Sequence, residues 1–216
     1  MTNIRKEAFK LKLSVSKKTA ESKSEAAKIT EFETRENIPL TTGHLSDLFT
    51  SRLQSTNTWG GTCSKDNYTG MTGNMMDLDG EITIPAMEHR CSPYHYILYT
   101  STSHQTAGKD RFRMILPIDP ANYDSYSTED LHSRVYESVI SQFPEIDKSC
   151  TTPASKFFPF CGDMENFEVK VHVGQDYWAP NFSAQYVNFT EVKGTPVIKL
   201  DTVVLDEFKM NELFDE

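Results

Sequence analysis

Apolar positions along this chain repeat with two different periods. Leu45, Leu48, Phe49 and Leu53 fall three and four residues apart, which predicts a short amphipathic helix over residues 42–54. Leu131, Val135, Val139, Ile140 and Phe143 repeat that spacing behind Ser127-Thr128-Glu129-Asp130, a near capping box with Ser127 at the N-cap, and Pro144 stops the helix. Elsewhere the period is two, or the apolar run is short and continuous. Residues 74–78, 94–99 and 111–117 read as strands, the last two joined through the Gly108-containing stretch 103–110 as a hairpin. Phe157-Phe158-Pro159-Phe160 reads as a short strand, residues 167–173 as a half-buried one, and residues 195–205 hold an apolar run fit for a last strand. This order of elements predicts an α+β fold with a largely antiparallel sheet.

Between these elements lie polar stretches. Residues 1–38 are rich in Lys, Ser, Glu and Ala, with one weak apolar rhythm at Phe9, Leu11, Leu13 and Val15, and read as a basic arm, helical or mobile. Residues 55–73 hold Gly60, Gly61, Gly70 and Gly73 among polar residues and read as an irregular loop leading into the first predicted strand. Its position makes Asn67, Tyr68 and Asn74 candidate contacts. Residues 207–216 form an acidic tail, leaving 39–206 as the expected catalytic domain.

Composition narrows the class. With 216 residues, 38% hydrophobic and 11% aromatic, the chain can build the core of one domain with a small appendage. No run approaches a membrane span and the N-terminus lacks a signal-peptide core, so the expectation is a soluble, cytoplasmic protein without membrane contact. The formal charge is −9, divided unevenly: residues 1–30 carry eight Lys or Arg against three acids. That balance excludes a protein that grips duplex DNA by bulk electrostatics, and it leaves room for an enzyme meeting nucleic acid through metal ions and a local basic stripe. Cys63, Cys91, Cys150 and Cys161 include no C-x-x-C pair, so neither a zinc ribbon nor a redox motif is indicated. A metal site from His89, Cys91, Cys150 and Cys161 stands as an alternative to four reduced thiols.

The candidate chemistry lies in three places. In Asn74-Met75-Met76-Asp77-Leu78-Asp79-Gly80 the two carboxylates share one face of a strand while Leu78 turns to the core. Such a like-charge pair is costly unless a divalent cation sits between its members. Asp147, after the second helix, is the third acid chosen. Ser103 and His104 stand at one lip of the predicted hairpin, and Arg111 and Arg113 present two planar forks on one face of the returning strand. Lys109 and Lys156 are secondary cations. Carboxylates, imidazole and guanidinium groups together describe a site for a metal-bound triphosphate.

These stretches resemble the signatures of the archaeo-eukaryotic primase superfamily, and within it the primase-polymerases of plasmids, phages and other mobile elements. An apolar run ending in D-x-D is matched by Met75-Met76-Asp77-Leu78-Asp79, a small-residue-x-His motif by Ser101-Thr102-Ser103-His104, and an apolar-Asp motif by Ile146-Asp147. Lys109-Asp110-Arg111-Phe112-Arg113-Met114-Ile115-Leu116-Pro117 and Ser155-Lys156-Phe157-Phe158-Pro159 are similar to stretches that accompany them, with Lys156 where arginine is more usual. The resemblance implies a core like an RNA-recognition-motif sheet with flanking helices and an N-terminal α/β unit. It implies template-directed synthesis of primers or DNA from nucleoside triphosphates on single-stranded DNA, with Mg²⁺ or Mn²⁺. Asp77, Asp79 and Asp147 would hold metal; Ser103, His104 and Arg113 would hold the triphosphate, with Arg111 supporting. A helicase or C-terminal helical domain outside this chain is the implied partner.

Two alternatives use the same residues: a metal-dependent nuclease or phosphohydrolase with water as nucleophile, and a non-catalytic nucleotide or single-strand binding module. A rolling-circle initiator fits less well than either, since it needs a His-x-His metal pair that the sequence lacks.

Overall fold

A computed structural model describes residues 9–182 of the chain, all within the unit Met1–Ala184. The run expected as a last strand at 195–205 and the acidic tail lie outside the described residues.

The weak rhythm near the N-terminus is a strand period. Phe9, Leu11, Leu13 and Val15 are all buried, and β1 (Leu13–Ser16) is the middle strand of an antiparallel three-stranded sheet. Its neighbours are β2 (Phe32–Arg35) and β3 (Gln54–Ser55). The segment read as a basic arm is therefore, over its described part, built into the fold: Lys17, Lys18, Lys23 and Lys28 stay exposed while the alternate apolar residues go inward. Between β1 and β2 lies α1 (Lys23–Lys28), capped by Ser22, whose hydroxyl accepts from the Glu25 amide. The predicted amphipathic helix is α2 (Thr42–Ser51), which is capped by the Thr41 hydroxyl and buries Leu45, Leu48 and Phe49. These pack against Leu11, Leu13 and Val15.

The glycine-bearing stretch expected as loop contains a hairpin of β4 (Asn57–Trp59) and β5 (Tyr68–Met71), with an irregular register between Thr58 and Trp59. Trp59 anchors it in a cluster with Phe32 and Leu53.

The central sheet has four strands, β6 (Gly73–Leu78), β7 (Tyr96–Thr100), β8 (Phe112–Pro117) and β9 (Val169–His172), in the order β6-β8-β7-β9, every pair antiparallel. Two helices complete a β-α-β-β-α-β succession: α3 (Ile84–Cys91) and α4 (Glu129–Gln142). On one face Met76, Leu78, Leu98, Phe112, Met114 and Leu116 pack with Met87 and Cys91 of α3 and Val135 and Val139 of α4. On the other, Met75, Ile97, Tyr99 and Ile115 pack with β1 and α2. Burial of both faces explains why these strands read as continuous apolar runs. Gly73 opens β6 because a Cβ there would come within 2.5 Å of the Leu116 carbonyl oxygen.

Two boundaries differ from expectation. The N-cap of α4 is Thr128, whose hydroxyl accepts from the Leu131 amide at 3.2 Å, one residue beyond Ser127. The segment expected as a strand at 157–160 makes a single bridge, Phe157 to Gln54. Among the described residues no helix is long and apolar enough to cross a membrane.

Candidate functional site

Register places Asp77 of β6 opposite Arg113 of β8, and Arg113 opposite Tyr99 of β7, on the face covered by α2. Arg113 Nε lies 3.4 Å from Asp77 Oδ1, and Nη1 donates to the Phe158 carbonyl. The guanidinium carbon sits 5.8 Å from the Tyr99 ring centre and 5.4 Å from that of Phe157. Both partners are largely covered, with 11% of the Arg113 side chain and 19% of the Asp77 side chain exposed. Burial pushes the Asp77 carboxyl above its ordinary value; Arg113 pulls it down, while Asp79 and Asp147 push it up again. Tyr99, fully buried, donates to Gln54 Oε1 at 3.0 Å, and burial raises its phenol to about 12.

Asp79 stands just past the end of β6 and is exposed. Asp147 opens a short 3₁₀ turn, Lys148–Cys150, and its carboxylate accepts from the Ser149 amide at 2.8 Å and hydroxyl at 2.7 Å. Those bonds hold its carboxyl below the usual value. Its own amide donates to the Asp77 carbonyl at 2.9 Å, which fastens the third acid to the first strand. The neighbouring acid Glu145 is engaged by both arms of Arg90, at 2.8 and 2.9 Å.

The stretch between β7 and β8 folds back on itself. His104 N–H donates to the Ser101 carbonyl at 3.0 Å, and His104 Nδ1 accepts from the Arg111 amide at 3.2 Å. In the neutral ring that bond puts the proton on Nε2, so the side-chain nitrogen of Gln105, 3.3 Å away and already donating to Asp110 Oδ1 at 2.9 Å, faces it donor to donor and makes no hydrogen bond with it. Gln105 and Ala107 hold φ of 59° and 57°, a left-handed conformation that non-glycine residues adopt at a cost. Asp110 pins the loop to the start of α3 by accepting from the Ile84 amide at 2.8 Å. The aliphatic stem of Lys109 covers Gly80, where φ is +103° and a Cβ would come within 2.8 Å of Lys109 Cδ. Hence the loop carrying Ser103, His104 and Lys109 touches the end of the D-x-D stretch. Arg111 is half-buried, its Nε without a hydrogen-bond partner.

Lys156 is placed differently. Its ammonium donates to the Ile29 carbonyl at 2.6 Å and approaches that of Ala27 at 3.4 Å, closing the end of α1. Asn67 bonds Thr62 and Tyr68 bonds the Tyr126 carbonyl, while the side-chain amide group of Asn74 is buried without a hydrogen-bond partner. Residues that sequence patterns did not single out include Tyr99 and the Phe158 carbonyl, both against Arg113. Thr102, quoted in the His104 motif without a role of its own, accepts through its hydroxyl from the Cys161 amide at 3.0 Å. A main-chain acceptor leaves no signature in a sequence. The cysteines are free and scattered: Cys91 lies in the core, and Cys150 is 3.6 Å from Asp147 Oδ2.

The donor chemistry of Asp77, Asp79 and Asp147, all hard carboxylate oxygens, fits Mg²⁺ or Mn²⁺, and a cation would relieve the pressure of like charges on Asp77. Among the described residues, however, no three His, Cys, Asp or Glu side chains are gathered closely enough to hold a metal ion. Asp77 is turned to Arg113 and Asp147 to Ser149.

No protein-family model matches the chain, and no curated protein matches it. Among solved structures it is similar to the AEP domain of the cyanophage S-2L primase-polymerase, at a TM-score of 0.42 and 12% identity, over 76% of this chain and 83% of that one. At that level of likeness the functional reading rests on the site itself.

Proposed function

We propose that this chain is a nucleotidyltransferase of the primase-polymerase kind, which adds nucleotides to a 3′ end on a single-stranded DNA template. The observation that carries this reading is the meeting of three distant stretches at one end of the central sheet. The Asp147 amide bonds the Asp77 carbonyl, and Lys109, from the loop of His104, lies on Gly80. In this reading the four-stranded sheet is an RNA-recognition-motif-like core, and β1–β3 with α1 and α2 are its N-terminal α/β unit.

Asp77, Asp79 and Asp147 would hold Mg²⁺ or Mn²⁺. The bound ions would neutralise charge on the α-phosphate and on the departing pyrophosphate as the 3′-hydroxyl attacks. His104, with Nδ1 occupied by the Arg111 amide, turns an Nε2–H donor to a β- or γ-phosphate oxygen. The Ser103 hydroxyl adds a second donor, Arg111 supplies a charge that no accessible pH removes, and Lys109 stands at the lip. Arg113 reaches the triphosphate only by leaving Asp77, and Lys156 only by leaving α1. A helicase or helical domain would supply strand opening.

The test is incorporation of labelled nucleotide on a single-stranded template with Mn²⁺. Product from the wild-type chain, lost in Asp77→Ala and Asp79→Ala, supports the reading; equal incorporation by all three overturns it. Degradation of DNA without nucleotide consumption would point to the nuclease. A second reading, a non-catalytic nucleotide-binding module, is favoured by the engagement of Asp77 and Asp147 with protein groups; nucleotide binding without polymer would establish it.

A further inference from the structure

The end of the central sheet away from Asp77 carries a cavity of about 300 Å³. Antiparallel pairing puts it there: β8 leaves the Asp77 end at Phe112 and reaches Pro117 opposite Gly73, and β7 starts at that far end, just after His95. Three segments wall the cavity: His95, the 3₁₀ segment Pro120–Tyr126 with its cap Asp119, and residues 175–179 beyond β9. Each is fixed by bonds of its own. The Asp119 carboxylate accepts from the Ala121 amide at 2.9 Å. The His95 amide donates to the Asp176 carbonyl at 2.9 Å, and the Gln175 amide to that of Pro93 at 2.8 Å. The Trp178 indole donates to Gln142 Oε1 at 3.2 Å, and the Tyr177 ring meets His95 edge-on at 4.8 Å.

The polar groups of the cavity indicate the charge of its occupant. Asp119 and Asp176 bring two carboxylates, and neither is in an ion pair with a described residue. No Lys or Arg lines the wall. Tyr126 is only 7% exposed, yet its hydroxyl bonds no other described residue. Burial, and after it the Asp119 carboxylate, push its phenol upward, so hydroxyl and carboxylate lie near one another. The rings of Tyr126, Tyr177 and Trp178 offer π faces, which attract a cation. A phosphate would meet only repulsion there, so the nucleotide of the proposed reaction is not the occupant.

We propose that this cavity binds an alkyl guanidinium group, held by the Asp119 and Asp176 carboxylates against the aromatic wall, with the Tyr126 hydroxyl accepting one of its N–H groups. A guanidinium is planar, weakly hydrated and forked, so it pairs with carboxylates and stacks on rings in one pose. The group belongs either to a free small guanidine or to an arginine side chain of another protein. This inference is independent of the nucleotidyltransferase reading.

The experiment titrates the full chain with butylguanidinium, with butylurea, which has the same shape without the charge, and with a capped Gly-Arg-Gly peptide. Calorimetry reads affinity, and the indole N–H resonances of the two tryptophans read location. The expected result is saturable binding of one butylguanidinium, at least about tenfold tighter than butylurea. The Trp178 resonance should shift while that of Trp59, in a different cluster, stays in place. Asp176→Asn should weaken binding about fivefold, since the residue is exposed, and Asp119→Asn/Asp176→Asn by at least about thirtyfold. Asparagine at 119 keeps the cap on Ala121. Tyr126→Phe should cost about threefold. Peptide binding as tight as that of butylguanidinium assigns the group to a partner's side chain; butylguanidinium binding without peptide binding assigns it to a free small molecule. No saturable binding by the wild-type chain, equal binding of butylurea, or unchanged affinity in the double variant overturns the proposal. Should the double variant not fold, Asp176→Asn and Tyr126→Phe carry the same comparison.

Discussion

Two rows of the central sheet lie two residues apart on one face and are made of opposite materials. Met75, Ile115 and Ile97 form the first, all essentially sealed from solvent. Asp77, Arg113 and Tyr99 form the second, where a carboxylate and a guanidinium occupy positions that alternation would give to apolar side chains. The first row is what a sheet packed on both faces requires. The second violates that requirement at a stated cost: burial drives the Asp77 carboxyl upward against the pull of its partner. Local rules are broken in this way where function asks for it, so removing one row should harm folding and removing the other should harm chemistry.

The largest contrast is expected for Asp77→Ala, whose nucleotide incorporation should fall on the order of a thousandfold if a metal ligand worth several kcal/mol is lost, while urea denaturation shows the fold retained. Next, Ile115→Ala should cost about 2–5 kcal/mol of stability by leaving a cavity, with the folded fraction keeping its specific activity; an activity loss beyond the unfolded fraction would erase the distinction between the rows. A smaller effect is expected for His104→Ala, about a tenfold rise in the apparent KM for nucleotide from the loss of one phosphate donor, with template affinity unchanged in a fluorescence anisotropy titration.

The smallest effect separates the acids themselves. The Asp77 carboxyl lies above its ordinary 3.8, so its contribution to stability is full below that pH and is lost as pH rises through the shifted value. Asp147 lies below 3.8, so its contribution is present above that pH and is lost as pH falls through the lowered value. Stability measured against pH in chelator should therefore show slopes of opposite sign removed by Asp77→Asn and by Asp147→Asn. Slopes of one sign would contradict the environments assigned to them.

Much of this architecture was legible beforehand, for physical reasons. β6, β7, β8, α2 and α4 are long or strongly periodic, and burial on both faces writes itself into composition. β1 was hidden because lysines at its exposed end outweigh a two-residue apolar period in any reading by charge. The β4–β5 hairpin was hidden because it has few apolar residues besides Trp59 and Met71. α3 is only eight residues long, and its buried Ile84, Met87 and Cys91 keep the three-and-four spacing for a single repeat. In the site, the types of the acids, the histidine and the arginines were readable, since their chemistry is in their side chains. The engagement of Lys156 by α1 and of Arg113 by Phe158 was not, because both acceptors are main-chain carbonyls.

The account is tested most directly by a crystal soaked with Mn²⁺ and a non-hydrolysable nucleoside triphosphate. It predicts metal about 2.1 Å from oxygens of Asp77, Asp79 and Asp147, and a β- or γ-phosphate oxygen within hydrogen-bond reach of His104 Nε2. A triphosphate bound on another surface, or metal away from these acids, would contradict it.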